Sequence, residues 1–507
     1  MRISDSSIHK TQDIVIHERP FYKAKDTPPP PLVLLFGFQQ VMVCVSALLT
    51  IPFILSSELC PGSLALLQGT AFAYVPSVQV FMRLPEYACH ANDTTFVPQE
   101  EYMGKLAMIQ GCLIISALIP IIIGATGLVG VLTKFIGPIT VSPLMLLLVI
   151  SSVDLYVRVP IPGLKNGRFQ WYRVTIFGQY PYLIAIATSW LFCLLLTVTN
   201  LVSPDSEARV DKEASMRVLR DAPWFAAPYP GKFGPPSLHA GLLIAFILSA
   251  MTSVFESVGD YHAAARVSRE RSPPSHAINR GILAEGLGSL ISGLLGPGVG
   301  MTTHTENIGV IGVTRVASRW TMVCAGVFLI FLGLFTKVGA ILSTIPDPLV
   351  GGVLASSMAM VTGVAIANLQ QVDLSLTRNM AIIGFSMMIG MIVPGYYTKF
   401  PPHTGVEILD QVFKVLLTLP MFVGAMTACI LDNTVGGATR KERGLTERGH
   451  FHGGDHHSDV YSYPVSIQKI IDRLHCSKYI PFLPKEKKGR NSEEQIEDTI
   501  TSINIGQ

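Results

Sequence analysis

An all-α polytopic membrane protein is the fold class that the sequence predicts, and three observations predict it. The 507 residues are 49% hydrophobic and 14% charged, with a mean hydropathy of +0.44, whereas soluble domains carry about 25% charged residues. Apolar runs of roughly 20 residues, enough to cross a bilayer, recur along the chain. Two shorter segments rich in Gly or Pro indicate half-helices. A soluble enzyme is therefore not expected.

The apolar runs define the predicted organisation. Clear spans lie at residues 32–57, 106–133, 174–204, 320–345, 347–372 and 379–398, weaker candidates at 135–153, 233–265, 281–297 and 411–431, and the half-helices at 63–82 and 298–312. We expect a polar tail over residues 1–31, a membrane domain over 32–431 and a second polar tail over 432–507. The lipid bilayer is the predicted surrounding.

Basic residues predict how the chain is oriented. Four lie in the loop at 158–173 and four more at 266–280, and both tails are basic, so these parts should face the cytosol. The acidic loop from Arg83 to Lys105 contains a sequon at Asn92, which predicts glycosylation on the outer face if segment 63–82 is re-entrant. If all remaining segments span the bilayer, this loop instead faces the cytosol and the sequon is not used. The formal charge of +3 is small and dispersed, so a nucleic acid partner is not expected. The predicted location is the plasma membrane.

The first candidate site is the segment "TENIGVIGVTR" over 305–315. Glu306 and Asn307 follow a stretch from Gly286 to Thr305 without a charged residue, and an ionisable side chain at membrane depth is costly enough to indicate function. Glycines such as Gly309 weaken a continuous helix and allow a close approach of the backbone to a ligand. The pattern predicts a broken helix that ends at a binding site near the bilayer midplane.

The second candidate site is the pair Glu256 and Asp260 in "SVFESVGDYHAAARV". Residues four apart on a helix lie on one face, one turn above the other. Two carboxylates this close repel each other in a medium of low dielectric, so a proton or Na⁺ is a natural partner. The alternative is that one acid simply bonds to a neighbouring helix.

Four motifs carry a family resemblance. "ENIGVIGVTR", "FESVGDYHAAARV", "HAINRGILAEG" and "ILDNTV" resemble the nucleobase/ascorbate transporter family, in its animal branch, over residues 30–480. The resemblance implies two inverted repeats of seven segments, a core domain and a gate domain, and short strands that interrupt two broken segments. The core would comprise about 32–133 and 233–345, and the gate about 135–204 and 347–431. A homodimer is expected.

The resemblance also implies roles for individual residues. Glu256 and Glu306 would bind substrate, Asp260 would take part in ion coupling, and Phe72 would offer a ring or backbone, although plain packing explains Phe72 equally well. The remaining implied positions are Asn307 and Gly309 at the substrate, Thr314 and Arg315 in the selectivity motif, and Gln40 in ion coupling, where relatives have His. A planar heterocycle would use carboxylates for its N–H groups and an aromatic face. No cofactor is expected beyond a coupling ion, Na⁺ or H⁺.

The first residue of the motif bears on the substrate. Animal ascorbate carriers of the family usually have Pro there, whereas carriers of uracil, xanthine and urate have Glu or Gln. An ascorbate anion would be repelled by Glu306 beside Glu256 unless a proton or Na⁺ offset the charge. A nucleobase is therefore favoured, and Na⁺-dependent ascorbate transport is the alternative.

The chain departs from the family pattern in its first half. Only a few residues separate the first span from "GSLALLQGTAFAYV", and the passage from residue 156 into 157 skips the usual sixth segment. The second and sixth segments are thus expected to be missing, which leaves about twelve of the usual fourteen. Two explanations remain for the missing segments, a splice form or a mispredicted gene model that omits two exons. A further hypothesis is a transport-deficient splice form or pseudo-transporter that acts through oligomerisation.

Overall fold

We used a computed structural model of the chain. The structure describes residues 22–59, 72–74, 77–78, 99–133, 135–151, 170–171, 174–175, 181–204, 206, 208–231, 234–270, 272–296, 300–342, 344–445, 461 and 480–483. The sequon at Asn92 lies outside these residues.

The described part of the chain is mostly helical. Its helices are α1 (Pro30–Leu59), α2 (Gln99–Ser116), α3 (Leu118–Thr126), α4 (Val129–Leu132), α5 (Pro138–Ser151), α6 (Pro181–Val198), α7 (Glu213–Asp221), α8 (Ala240–Val267), α9 (Ser275–Leu295), α10 (Thr305–Thr314), α11 (Arg319–Leu334), α12 (Thr336–Leu342), α13 (Asp347–Leu369), α14 (Thr377–Lys399), α15 (Glu407–Thr418) and α16 (Pro420–Thr434). A 3-10 turn covers Phe72–Tyr74, and two short strands, β1 (Gln170–Trp171) and β2 (Val174–Thr175), pair antiparallel.

Several helices have the length and composition to cross a membrane. Four qualify alone within the described residues: Met103–Thr126, which joins α2 and α3, Ala240–Val267, Pro348–Leu369 and Thr377–Lys399. Two bent pairs, α11 with α12 and the end of α15 with α16, raise the number to six if each pair is one span. Shorter apolar helices occur at Pro30–Cys44, Pro138–Ile150 and Ile184–Val198.

Two predicted single spans are bent in the structure. The run 320–345 turns by 93° between α11 and α12, where the Leu334 carbonyl accepts a hydrogen bond from the Ala226 N–H, a group outside the helix. The run 411–431 turns by 77° at Pro420, a residue that lacks the N–H group needed to continue α15. The predicted span 174–204 also starts late, because Val174 and Thr175 are in β2 and α6 begins at Pro181.

The long helix α8 lies at the centre of the packing. It contacts α2, α3, α9 and α10 on one side and α5, α13, α15 and α16 on the other. Its buried ring of Phe246 packs edge-on against Tyr74 of the 3-10 turn, with 5.2 Å between ring centroids. Leu144 and Met145 of α5 belong to the same fully buried apolar cluster. This arrangement places the middle of α8 between two groups of helices.

Candidate functional site

Glu256 and Asp260 lie on one buried face of α8. Their exposed fractions are 4% and 0%, and they are separated by one helical turn. Glu285 and Glu306 stand on α9 and α10, two helices that pack against α8. α8 therefore contributes two carboxylates to the interior of the helix bundle, and its neighbours α9 and α10 contribute one each.

The first turn of α10 contributes the third carboxylate. Glu306 is 3% exposed and sits at the positive end of this ten-residue helix. The backbone that leads into α10 is fixed by two contacts: the Met301 N–H donates to Ser289 Oγ across 2.8 Å, and a Cβ on Gly300 would lie 2.5 Å from the Tyr74 ring. The helix thus starts in the interior, as predicted for a broken segment.

The short strand expected before α10 is not seen in the described residues 300–304. These residues are irregular, and Met301 uses its N–H for the side chain of Ser289 instead of a strand partner. Residues 297–299 and most of the first half-helix, 63–82, lie outside the described residues, apart from the turn at Phe72–Tyr74 and residues 77–78.

Two side-chain contacts involve carboxylates at the start of α10. Thr305 Oγ1 donates to Asp260 Oδ2 across 2.8 Å. His304 Nδ1 lies 3.4 Å from Glu306 Oε2, close enough for an ion pair when the imidazole is protonated. His304 was not singled out from the sequence, although it stands two residues before Glu306. The pair allows the negative charge at Glu306 to be partly offset from within the chain.

Glu285 of α9 is the fourth carboxylate, and sequence reasoning missed it. It accepts hydrogen bonds from Ser257 at 2.6 Å, from Thr303 at 2.5 Å and from the Tyr261 hydroxyl. Glu285 is a lone acid within an apolar run, the same signal that indicates Glu306. It stands directly before the uncharged stretch Gly286 to Thr305. With three donors, Glu285 fixes the segment before α10 against α8 and α9.

The other three carboxylates each keep an oxygen without a partner. Among the described residues, Glu256 Oε2, Asp260 Oδ1 and Glu306 Oε1 are buried and accept no hydrogen bond. An unpaired buried carboxylate oxygen is costly, so such groups in a folded chain indicate a ligand site. Carboxylate oxygens accept N–H donors from a heterocycle and also bind protons or Na⁺.

Helix α1 brings two amides and a thiol next to α10. Asn307 Nδ2 donates to Cys44 Sγ at 3.4 Å, and Gln40 lies one turn before Cys44 on the same face. Within the described residues, both polar side-chain atoms of Gln39 and Oε1 of Gln40 are buried without a partner. Asn307 therefore faces α1, and the Gln pair adds buried polar atoms without a partner to the same helix.

The remaining candidate residues are spread along α10. A Cβ on Gly309 would lie 2.7 Å from Met360 Sδ of α13, so this glycine permits close packing of two helices. Thr314 donates to the Val310 carbonyl, and Arg315 ends the helix in the left-handed region with φ of 60°. Eight residues of helix, about 12 Å, separate Thr314 from Glu306. The structure does not bring Thr314 and Arg315 to the carboxylates, and it describes only the backbone of Phe72.

Membrane-length apolar helices that surround buried carboxylates at a broken helix define a membrane transport protein. The chain belongs to the xanthine and uracil permease family, because the model of that family, described as "Permease family", matches residues 32–158 and 153–398. It is an integral membrane transporter and not an enzyme.

Individual relatives support the animal branch. The chain is 33% identical to human solute carrier family 23 member 2 over 94% of this chain and 86% of that protein, and 32% identical to mouse member 1 over 96% and 93%. It is 29% identical to nucleobase-ascorbate transporter 11 of Arabidopsis thaliana over 75% and 61%. A solved structure of the murine Slc26a9 anion transporter in the inward-facing state aligns with a TM-score of 0.42 and 14% identity, over 81% of this chain and 68% of that one.

The alignments also show that relatives contain stretches this chain lacks. The alignment with human member 2 is 562 residues long although the whole chain has only 507. The family match is divided into two pieces that meet at residues 153–158. That junction coincides with the place where the sequence predicts the loss of a sixth segment.

Proposed function

We propose that the chain is a secondary active transporter of nucleobases, of the uracil, xanthine or urate class, coupled to H⁺ or Na⁺. The observation that carries this proposal is the set of unpaired buried oxygens on Glu256, Asp260 and Glu306. Substrate N–H groups would satisfy Glu256 and Glu306, and the coupling ion would be held with the help of Asp260. The N-terminus of α10 supplies backbone N–H groups for the carbonyl oxygens of a base.

The proposed architecture assigns the carboxylate-bearing helices to a moving core. In this proposal α5, α6 and α13–α16 form the gate, and substrate binds where α8 and α10 face α13. The contact between Gly309 and Met360 and the packing of α13 on α10 support this division. A homodimer in the plasma membrane, with the gate domains in contact, completes the proposal.

Na⁺-dependent ascorbate transport is the alternative, and one contact favours it. His304 Nδ1 is 3.4 Å from Glu306 Oε2, so a protonated imidazole would reduce the repulsion that Glu306 exerts on an anion. The name of the plant relative, nucleobase-ascorbate transporter 11, includes both substrate classes. A His304→Gln variant distinguishes them: uptake of an anion should fall more than uptake of a neutral base.

The experiment that tests the proposal is uptake of radiolabelled uracil, xanthine and ascorbate into cells that lack such carriers. Uptake is measured with and without Na⁺ and at two pH values, beside surface biotinylation. Saturable nucleobase uptake that depends on Na⁺ or pH is expected. Ascorbate uptake that nucleobases do not inhibit would favour the alternative. Normal surface expression with no uptake would favour a form without transport activity. The stretches of human member 2 that this chain lacks support that possibility.

A further inference from the structure

A cavity lies beside α8, between the two groups of helices and apart from the carboxylates. Its volume is about 270 Å³, and its polar lining includes His262 of α8, Asn368 at the end of α13, and Gln371 and Arg440 beyond it. No acidic residue is among its described lining residues. The cavity is close to the lower limit for small-molecule pockets, about 300 Å³, so it suits a molecule the size of a small heterocycle.

The cavity is close to the proposed substrate site but closed from it. It borders Val258 and Gly259, which stand between Glu256 and Asp260 in the chain. A Cβ on Gly259 would lie 2.4 Å from Val141 Cγ1 and 3.5 Å from Asn368 Nδ2, so α8 touches α5 and α13 there. His262, which lines the cavity, is close to the C-terminal end of α8, where Arg266 lies. The cavity is therefore near the end of α8 that is expected to face the cytosol.

The segment after the last helix, residues 439–445, is fixed to α14, to α16 and to the loop between α13 and α14. Arg443 makes two hydrogen bonds to the carboxylate of Asp432, at 3.0 and 2.9 Å. The Glu442 carbonyl accepts from the Asp373 N–H at 2.8 Å and from Asn379 Nδ2 at 3.1 Å. These bonds hold the segment in one place on the helices assigned to the gate.

The same segment forms one wall of the cavity. Arg440, Gly444 and Leu445 all line it. A Cβ on Gly137 would lie 2.6 Å from Leu445 Cδ2, so the end of the leucine side chain packs directly against this glycine. Gly444 has φ of +76° and lies against Pro138 and the Gln371 carbonyl, a conformation and a space that favour glycine. Close contacts of Leu445 with Gly137, and of Gly444 with Pro138 and Gln371, therefore hold this wall in position.

We propose that this cavity is a second contact site for the transported molecule, on the cytosolic side, and that Thr439–Leu445 forms its cytosolic wall. The contact site rests on the proposed transport function. Its described lining includes a guanidinium, an imidazole and two side-chain amides, one of which, Asn368, also accepts from Arg266, and no carboxylate that would repel an anion is among these described residues. It thus fits either a neutral base with ring carbonyls or an organic anion, and Arg440 would select molecules that present acceptor oxygens.

The wall is tested by the accessibility of a buried cysteine. Val258→Cys, in a background without other cysteines, reports from the cavity lining, where Val258 is 7% exposed. Inside-out vesicles are treated with a membrane-impermeant maleimide. Leu445→Ala should raise the labelling rate severalfold, whereas Val435→Ala, an exposed residue at the start of the same tail, should leave it unchanged. An equal labelling rate with and without Leu445→Ala, in protein of unchanged thermal stability, would overturn the proposal that this segment forms the wall.

The contact site is tested in the same vesicles. A compound that the wild-type chain transports, chosen among uracil, xanthine and ascorbate, should slow labelling of Val258→Cys, and Arg440→Gln should weaken this protection. Measured transport with no protection at Val258→Cys would overturn the second contact site. Transport of none of the three compounds would be a failure of the proposed function, and the maleimide comparison would still decide the wall.

Discussion

Thr305 Oγ1 donates a hydrogen bond to Asp260 Oδ2 across 2.8 Å, and this bond joins the first turn of α10 to the buried face of α8. Both residues are almost fully buried, at 2% and 0% exposed. The bond therefore couples the position of the broken helix, which carries Glu306, to the carboxylate assigned to ion coupling.

Removal of the Thr305 hydroxyl should weaken both stability and transport. Thr305→Val keeps the shape but leaves Asp260 without its donor, at a cost of about 1–3 kcal/mol for a buried hydrogen bond. We expect a lower melting temperature of the purified protein and a reduced maximal uptake rate. Thr305→Ser retains the hydroxyl and should restore most of both. A valine variant that matches wild type in both measurements would argue against a role for this bond.

Glu285 should be the most sensitive structural position in the site. Glu285→Gln places an amide group opposite three hydroxyl donors, Ser257, Tyr261 and Thr303, so at least one bond is expected to be lost or reversed. The expected loss of stability is about 1–3 kcal/mol. Tyr261→Phe removes one donor and should cost less. Thermal unfolding in detergent compares the stability of the two variants. A larger loss of stability in Tyr261→Phe than in Glu285→Gln would show that Glu285 is not the common acceptor.

The close approach of α10 to α13 predicts the effect of a methyl group. Gly309→Ala would place its Cβ within 2.7 Å of Met360 Sδ and 3.1 Å of Met360 Cβ. Overpacking typically costs about 1–3 kcal/mol, more than the gain of about 1 kcal/mol from replacing a helical glycine. Gly312→Ala, on the same helix, meets only Val267 at 3.5 Å and serves as the control.

A double-mutant cycle checks this contact. Met360→Ala should restore part of the stability that Gly309→Ala loses, because the smaller side chain opens the space. Additive effects of the two substitutions in thermal unfolding would show that the two helices do not meet at this point.

Asp432 should be required for the arrangement of the tail. Its carboxylate is fully buried and bonded to Arg378 at 2.7 Å and to Arg443 at 2.9 Å. Asp432→Ala would leave two mostly buried guanidinium groups without their anion, a type of change that costs about 3–5 kcal/mol. We expect poor folding, seen as loss of the monodisperse peak in size-exclusion chromatography. Arg443→Gln, which leaves Arg378 paired, should be tolerated better, and equal behaviour of the two variants would contradict this view.

The sequence predicted several membrane helices, and it predicted that Glu256 and Asp260 share a helix face, because these signals are local. Apolar runs of bilayer length identified most helices, and spacing alone placed Glu256 and Asp260 on one face. The bend after Leu334 could not be predicted, since no proline marks it and the Ala226 N–H that binds the Leu334 carbonyl comes from a segment distant in sequence. The bend at Pro420, in contrast, could have been predicted from the proline itself.

Pairwise contacts within the site were harder to predict. The partners of Glu285 come from α8 and from the segment before α10, and no spacing rule relates Tyr261 to Thr303. Thr314 and Arg315 belong to the motif in sequence, but a helix carries them about 12 Å away from Glu306. Motif membership therefore does not imply contact with the carboxylates.

The central claim is that Glu256 and Glu306 bind the transported molecule. The most direct measurement is radiolabelled uptake of uracil, xanthine and ascorbate by wild type, Glu256→Gln and Glu306→Gln in cells without such carriers, normalised to surface biotinylation. We expect saturable uptake by wild type and none by either variant at equal surface expression. Uptake at the wild-type rate by either variant would contradict it.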